Sequence, residues 1–195
     1  MSHECPQISH DRSKINMENH FKFMKEGDDT LITVDCTDCD IEEIHPFNAV
    51  YWSHKSNHAA FKYEVAVSIR GGDIVWVSGP WPAAVSDKKI FALHLAEHLG
   101  DNEFAEVDNG YSKTDKAMIP GAGESFLHKK LKSQARGRQK NFNGRLKVFC
   151  ILTNKFRKSD PTKHYIAFNA VAILVQLGQE NGERMYELQI NGTYT

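Results

Sequence analysis

The sequence predicts a mixed α/β layer fold built on a central sheet, and three observations lead there. Two short apolar runs, Leu31-Ile32-Thr33-Val34 and Phe104-Ala105-Glu106-Val107, read as strands, and each runs into an aspartate, Asp35 or Asp108. Residues 61–69 alternate Tyr63, Val65, Val67 and Ile69 with Lys62, Glu64 and Ser68, and Arg70-Gly71-Gly72-Asp73 turns them back into a strand over 74–77. Helical patterns fall between and after these strands, the order expected of a sheet with flanking helices.

Element by element, residues 1–29 are polar, His-rich and weakly periodic, and read as an irregular lead-in. The first strand spans 31–34, and 35–50 is polar and turn-rich, with Pro46. After the hairpin, Gly79-Pro80-Trp81-Pro82 breaks the returning strand. Asp87 suits the cap of a helix whose apolar stripe is Ile90, Leu93, Leu95 and Leu99 and whose stop is Gly100. The strand ending at Asp108 follows, then a short extended piece over 117–120. Residues 124–156 read as a long, mostly helical segment weakened by Gly137 and Gly144. Asp160-Pro161-Thr162 opens a last helix, with Tyr165, Phe168, Val171, Ala172, Leu174, Val175 and Leu177 as its buried positions. Residues 185–190 form a terminal extended segment. The expected organisation is a lead-in over 1–29, one domain over 30–182 and a tail over 183–195.

A chain of 195 residues suffices for one domain with a real core. No run approaches a membrane span, and the N-terminus lacks the basic start and apolar stretch of a signal peptide, which argues for an intracellular protein. Four irregularly spaced cysteines suit a reducing compartment better than a disulfide scaffold. The net charge of −1 hides an asymmetry. Residues 125–159 contain no acid but 11 of the 24 Lys and Arg, leaving 13 basic against 25 acidic residues elsewhere. Such a block is either a solvated helix face or a footprint for a polyanion, and the total absence of acid favours nucleic acid. Lys129, Lys132, Arg136 and Lys140 fall at helical spacing, and Arg138, Arg145 and Lys147 extend the block. Together they are the candidate DNA-binding residues, acting through salt-sensitive contacts to phosphates.

Strands ending on Asp35 and Asp108 deliver two carboxylates to one sheet edge if they lie side by side, an arrangement suited to a hard cation. The plainer reading of each is a turn or cap aspartate. Asp38 is a candidate supporting group or a turn residue, and Asp87 fits a helix cap at least as well as a catalytic role. Cys36-x-x-Cys39 has no second pair to complete a zinc site and reads as incidental. His45, His54 and His58 sit in a polar stretch and suit loop positioning or DNA-backbone contacts better than zinc.

With these residues in view, a resemblance emerges. Asp35-Cys36-Thr37-Asp38-Cys39-Asp40-Ile41 resembles the opening aspartate motif of eukaryotic DDE-superfamily transposase endonucleases of the Harbinger-like type. His45-Pro46-Phe47 through Tyr51-Trp52-Ser53-His54-Lys55 to Phe61-Lys62-Tyr63-Glu64-Val65 is similar to that family's block around its second strand. Ile74-Val75-Trp76-Val77-Ser78-Gly79-Pro80-Trp81-Pro82 with Asp87-Lys88-Lys89-Ile90-Phe91 resembles its third strand and following helix. Val107-Asp108-Asn109-Gly110-Tyr111 resembles its second aspartate motif, and Asn143-Gly144-Arg145-Leu146-Lys147 the tail of its glutamate helix. Each motif is weak alone, but their joint order over roughly 30–182 is specific. The resemblance implies a ribonuclease H-like central mixed sheet with flanking helices. It implies Asp35 and Asp108 as catalytic residues and ligands of Mg²⁺ or Mn²⁺, DNA as substrate, and a nuclear location. It also implies an ancestral two-metal cleavage and strand transfer. The family's glutamate precedes the glycine of its last motif by four residues, where this chain has Lys140, which cannot ligate Mg²⁺. The family's upstream DNA-binding region has no counterpart here, so a protein partner supplying DNA specificity is a further expectation. The reading is a degenerate or truncated copy that binds duplex DNA and cleaves it little; the alternative is a non-enzymatic, domesticated DNA- or protein-binding module.

Overall fold

Thr30–Asp40 forms β1, an eleven-residue strand at the heart of the sheet. The computed structural model describes residues 30–69, 71–101, 103–119, 126–183, 185, 189–190 and 193–194. The expected lead-in over 1–29 lies outside the described residues, as do Arg70 of the hairpin turn and most of the expected tail. The other strands of the main sheet are β2 (Trp52–Ser53), β3 (His58–Ser68), β4 (Ile74–Pro82), β5 (Phe104–Glu106) and β6 (Ala117–Met118). Their order is β2-β3-β1-β5-β6, with β4 also paired to β3. The β1–β3 and β3–β4 pairs are antiparallel, and β1–β5 and β5–β6 are parallel. The two apolar runs singled out in the sequence therefore do lie side by side.

β1 does not end at Val34. It runs on through Asp35 to Asp40, because β3 pairs with it from Ile32↔Ser68 to Asp40↔Ala60. Side-chain alternation lets a strand carry these polar residues. Cys39, with Ile41 beyond the strand, packs into the core on one face, and Ile32 and Val34 pack into the core on the other. The region expected to be turn-rich thus begins only after residue 41. β4 likewise does not stop at Gly79. It continues to Pro82, with its ladder to β3 shifting register between Lys62 and Glu64.

Helices cover both faces. On one side are α1 (Asp87–Leu93) and α2 (Leu95–His98). On the other are α3 (Phe126–Val148), α4 (Cys150–Thr153) and α5 (Pro161–Glu180). Ser86, not Asp87, caps α1, its side chain accepting from the Lys89 N–H; Asp87 is the first helical residue, where a carboxylate faces the positive helix end. His94 interrupts the single helix expected there. Helix α3 passes through both Gly137 and Gly144 and breaks at Phe149, so the expected segment over 124–156 becomes two helices. Asp160 caps α5 by accepting from the Thr162 and Lys163 N–H groups. The α5 face on the sheet is Phe168, Val171, Ala172 and Val175, joined by His164 and Gln179, whereas Leu174 and Leu177 turn outward. Leu93 is exposed in the same way. Among the described residues no helix is long and apolar enough to cross a membrane.

An aromatic cluster fastens α5 to β3. The Tyr63 ring stacks on Phe168 with centroids 3.8 Å apart. The Tyr63 hydroxyl and His164 Nδ1 share a hydrogen bond of 2.8 Å, and Phe61 and Phe156 meet the imidazole edge-on. Burial, with help from the Lys147 charge, pushes the His164 pKa down to about 4. Tyr63 also explains Gly79. This glycine has φ +142, and an added Cβ would lie 2.6 Å from Tyr63 Cδ1 and 2.8 Å from the Lys62 carbonyl oxygen.

Two outcomes follow. Gly79→Ala is expected to destabilise the protein by about 2 kcal/mol or more in urea unfolding, from backbone strain plus the clash with a buried ring. His164 stays neutral in the folded state while an unfolded histidine takes up a proton near pH 6.5, so stability is expected to fall from about pH 6.5 towards about pH 4. Denaturation midpoints across that range measure it, and His164→Gln should make the acid limb shallower.

Candidate functional site

The parallel ladder between β1 and β5 ends at Thr33↔Glu106. Asp35 and Asp108 each lie two residues beyond that last pair, past the end of the shared edge, and Asp108 is near enough to act on the charge of Asp35. Asp35 is half-buried and still paired to Val65 on its β3 side. Its Oδ1 accepts the Cys36 N–H at 2.9 Å, and its Oδ2 accepts Asn143 Nδ2–H, also at 2.9 Å. Asp108 is exposed and caps the short 3₁₀ turn Asn109–Tyr111, accepting the Gly110 N–H at 2.8 Å. It is therefore a turn residue by conformation.

Burial raises the Asp35 pKa, Lys55 and the Cys36 N–H oppose the shift, and Asp87 and Asp108 add to it. The three carboxylates and Lys55 thus share one electrostatic neighbourhood. Asp87 is already committed, with the Lys62 ammonium 2.7 Å from its Oδ1. Among the described residues, no group of three or more His, Cys, Asp or Glu side chains is close enough to hold a metal ion. On the opposite face of β1 from the Asp35 side chain lies a cleft of about 250 Å³ whose walls include Asp38, Ser53, His54, Lys55, Lys62 and Asp87. Asp38 accepts from the Ser53 hydroxyl at 2.5 Å, which ties the loop carrying Lys55 to β1.

Helix α3 meets this edge with a polar face that sequence reasoning divided differently. Lys132 Nζ lies 3.4 Å and Arg136 Nη1 3.7 Å from the Glu106 carboxylate, which is fully buried. Gln139 accepts the Thr33 hydroxyl and donates to the Val65 carbonyl. Asn143 follows and reaches Asp35. These four residues are spaced four, three and four apart, one stripe of a helix. The expected stripe of DNA-facing bases is therefore not one exposed face. Arg138 is 2% exposed and donates to the Ile69 carbonyl. Lys147 donates inward to the Asp38 carbonyl and Cys39 Sγ, and Arg145 donates to the Glu183 carbonyl. Lys129 and Lys140 are exposed. Lys140, where the resemblance puts a glutamate, makes no hydrogen bond or ion pair among the described residues, whereas Asn143 of α3 bonds Asp35.

Sequence reasoning missed Glu106 because it sits inside an apolar run; Asn143 was read only as part of the Asn143-Gly144-Arg145-Leu146-Lys147 motif, not as a residue of the site. The one available clue was the spacing of Asn143 from Lys132, Arg136 and Gln139. Glu124, the nearest upstream acid to Lys140, lies outside the described residues. Cys36 and Cys39 are three apart on a strand, so their thiols take opposite faces, Cys36 Sγ against the Tyr111 hydroxyl and Cys39 Sγ against Lys147. Both thiols are buried and their pKa values are raised, that of Cys39 to about 11. Beneath the cleft, Glu64 is also buried. Its Oε2 accepts Trp76 Nε1–H at 3.0 Å, its Oε1 has no partner, and burial pushes its pKa up to about 8.

Over residues 34–176 the sequence matches the family model described as DDE superfamily endonuclease. No curated protein matches the chain. The mixed sheet with helices on both faces is a ribonuclease H-like architecture, consistent with that match.

Glu106 is a buried counter-charge to Lys132 and Arg136, so Glu106→Gln is expected to cost about 3 kcal/mol by removing the carboxylate that both face. Urea denaturation measures the loss, and Glu106→Gln combined with Lys132→Met should recover part of it.

Proposed function

Because the chain belongs to the DDE superfamily of endonucleases, we propose that it is a transposase-derived DNA-binding domain that keeps a two-carboxylate cation site and has lost most of its cleavage activity. Endonucleases of this superfamily act on DNA and generally depend on divalent metal. The observation that supports the reading is that Asp35 and Asp108 both follow the end of the β1–β5 ladder and act on one another's charge, while the α3 side chain bonded to Asp35 is the uncharged Asn143. Two carboxylates past one sheet edge, with the Asn143 carboxamide on Asp35 and its buried Oδ1 without a partner among the described residues, are a hard-oxygen donor set of the kind that Mg²⁺ or Mn²⁺ accepts. Asp35 and Asp108 would hold it. Such an ion supplies activation of a water or a 3′-hydroxyl and neutralises the leaving oxygen.

The chain's own residues do the rest. Lys129 and Lys140 are free to meet phosphates, and Arg136 and Arg145 add partly exposed charge along the same helix. Lys132, Arg138 and Lys147 serve α3 from within. Lys55, beside Asp35, biases the cleft toward an anionic backbone. A nuclear location and a protein partner that supplies DNA specificity belong to this proposal.

The alternative, a non-enzymatic module that binds DNA or a protein, is favoured by one observation. The Asn143 amide already satisfies the Asp35 oxygen that a cation would need.

Duplex DNA affinity is expected to be weak and to fall steeply between about 50 and 200 mM salt, with Lys129→Ala or Lys140→Ala each lowering the salt slope by about 1. Fluorescence anisotropy reads this, and absence of binding at low salt overturns the DNA reading. On supercoiled plasmid, Mg²⁺ or Mn²⁺ should give little nicking. Robust nicking that Asp35→Ala abolishes would show an active nuclease instead.

A further inference from the structure

We propose that Asn143, rather than residue 140, is the third arm of the cation site, and that its carboxamide serves the site in two states. Its amino group caps Asp35; with a divalent cation bound, its Oδ1 joins Asp35 and Asp108 around the ion. This rests on the reading of Asp35 and Asp108 as a cation site.

Three observations converge on Asn143. Its Nδ2 lies 2.9 Å from Asp35 Oδ2, so its side chain already reaches the carboxylate. Its Oδ1 is buried and has no hydrogen-bond partner among the described residues. A buried amide oxygen left unpaired is unfavourable, so the group is short of a donor or a cation. The α3 stripe of Lys132, Arg136, Gln139 and Asn143 follows the sheet from Glu106 to Thr33 to Asp35, and Asn143 is its member at the carboxylate end. Lys140 is exposed and has no such contact. Asp87, the other carboxylate nearby, is held by Lys62.

The chemistry follows from the side chain. A carboxamide carries two donors and an acceptor on one rotating plane. Its N–H donates to Asp35 and neutralises part of that charge. Its oxygen is a hard ligand of the kind Mg²⁺, Mn²⁺ and Ca²⁺ accept, but uncharged. The site is therefore built for weak binding, and one isosteric change, Asn143→Asp, supplies the missing charge at the correct place.

The test uses Mn²⁺ alone as probe, followed by calorimetry and by the electron paramagnetic resonance of free Mn²⁺ in titrations of the whole chain. Asn143→Asp is expected to tighten Mn²⁺ binding at least about tenfold, because affinity follows the charge count of the ligands. Its melting temperature should drop without metal, as two carboxylates then face each other, and recover with Mn²⁺. Asn143→Ala should bind Mn²⁺ more weakly than the parent chain. Lys140→Glu should change the affinity less than about threefold. Tightening by Lys140→Glu but not by Asn143→Asp would overturn the role of Asn143 while leaving the cation site standing, provided Asp35→Asn still abolishes binding. Mn²⁺ binding indifferent to Asp35→Asn would overturn the site itself, and Asn143 with it.

Discussion

Everything at the candidate site depends on where β1 loses a neighbour. The strand is paired on both sides up to Thr33 and on one side only from there to Asp40. An inner strand with two partners has no free edge and offers no room for a ligand. By ending β5 at Glu106 and turning the chain through Asp108, the fold opens one side of β1 at Asp35 while β3 still holds its backbone rigid. The carboxylate is thus both firmly placed and accessible, the combination that preorganised sites require.

The same edge accounts for the basic block. A helix laid over the open side of the sheet would ordinarily be apolar, yet α3 presents Lys132, Arg136, Gln139 and Asn143. These polar groups are matched in order by Glu106, Thr33 and Asp35 below them. Burying charge in this way contributes little net stability compared with an apolar interface, but breaking one partner leaves an uncompensated ion. Such a ladder fixes the height and rotation of α3, and so decides which helix position confronts Asp35. The apolar half of the helix, Phe142 and Leu146, packs into the main core and supplies the burial that anchors it.

Much of this fold was legible in the sequence. The strands over 31–34 and 104–107, the hairpin at Gly71-Gly72 and the Asp160 cap are all local signals, and the structure bears them out. The extension of β1 past Val34 was not legible, because Asp35, Asp38 and Asp40 belong to a strand only by virtue of the partner β3. The inward course of Arg138 and Lys147 was hidden for a similar reason. Their targets are the Ile69 and Asp38 carbonyls, main-chain atoms that no composition or charge pattern announces. On α5 the apolar residues are too many to define one face, so Leu174 and Leu177 read as core although they turn outward. In the site itself, the two aspartates were visible as strand-end acids, whereas Asn143 became visible only once the helix register was known.

Glu64 has a consequence in terms of proton inventory. Its carboxyl, pushed up to about 8 by burial and held by the Trp76 indole, keeps its proton at neutral pH, where an unfolded glutamate has long released one. The folded molecule therefore carries a proton inside its sheet, directly beneath the cleft, and gives it up only in mildly alkaline solution. Because the native state holds more protons than the unfolded chain between about pH 4.5 and 8, this group favours folding in acid and progressively less as the pH rises through that window. It works against His164 on the opposite face of the sheet, so the two layers of the molecule answer to pH in opposite senses.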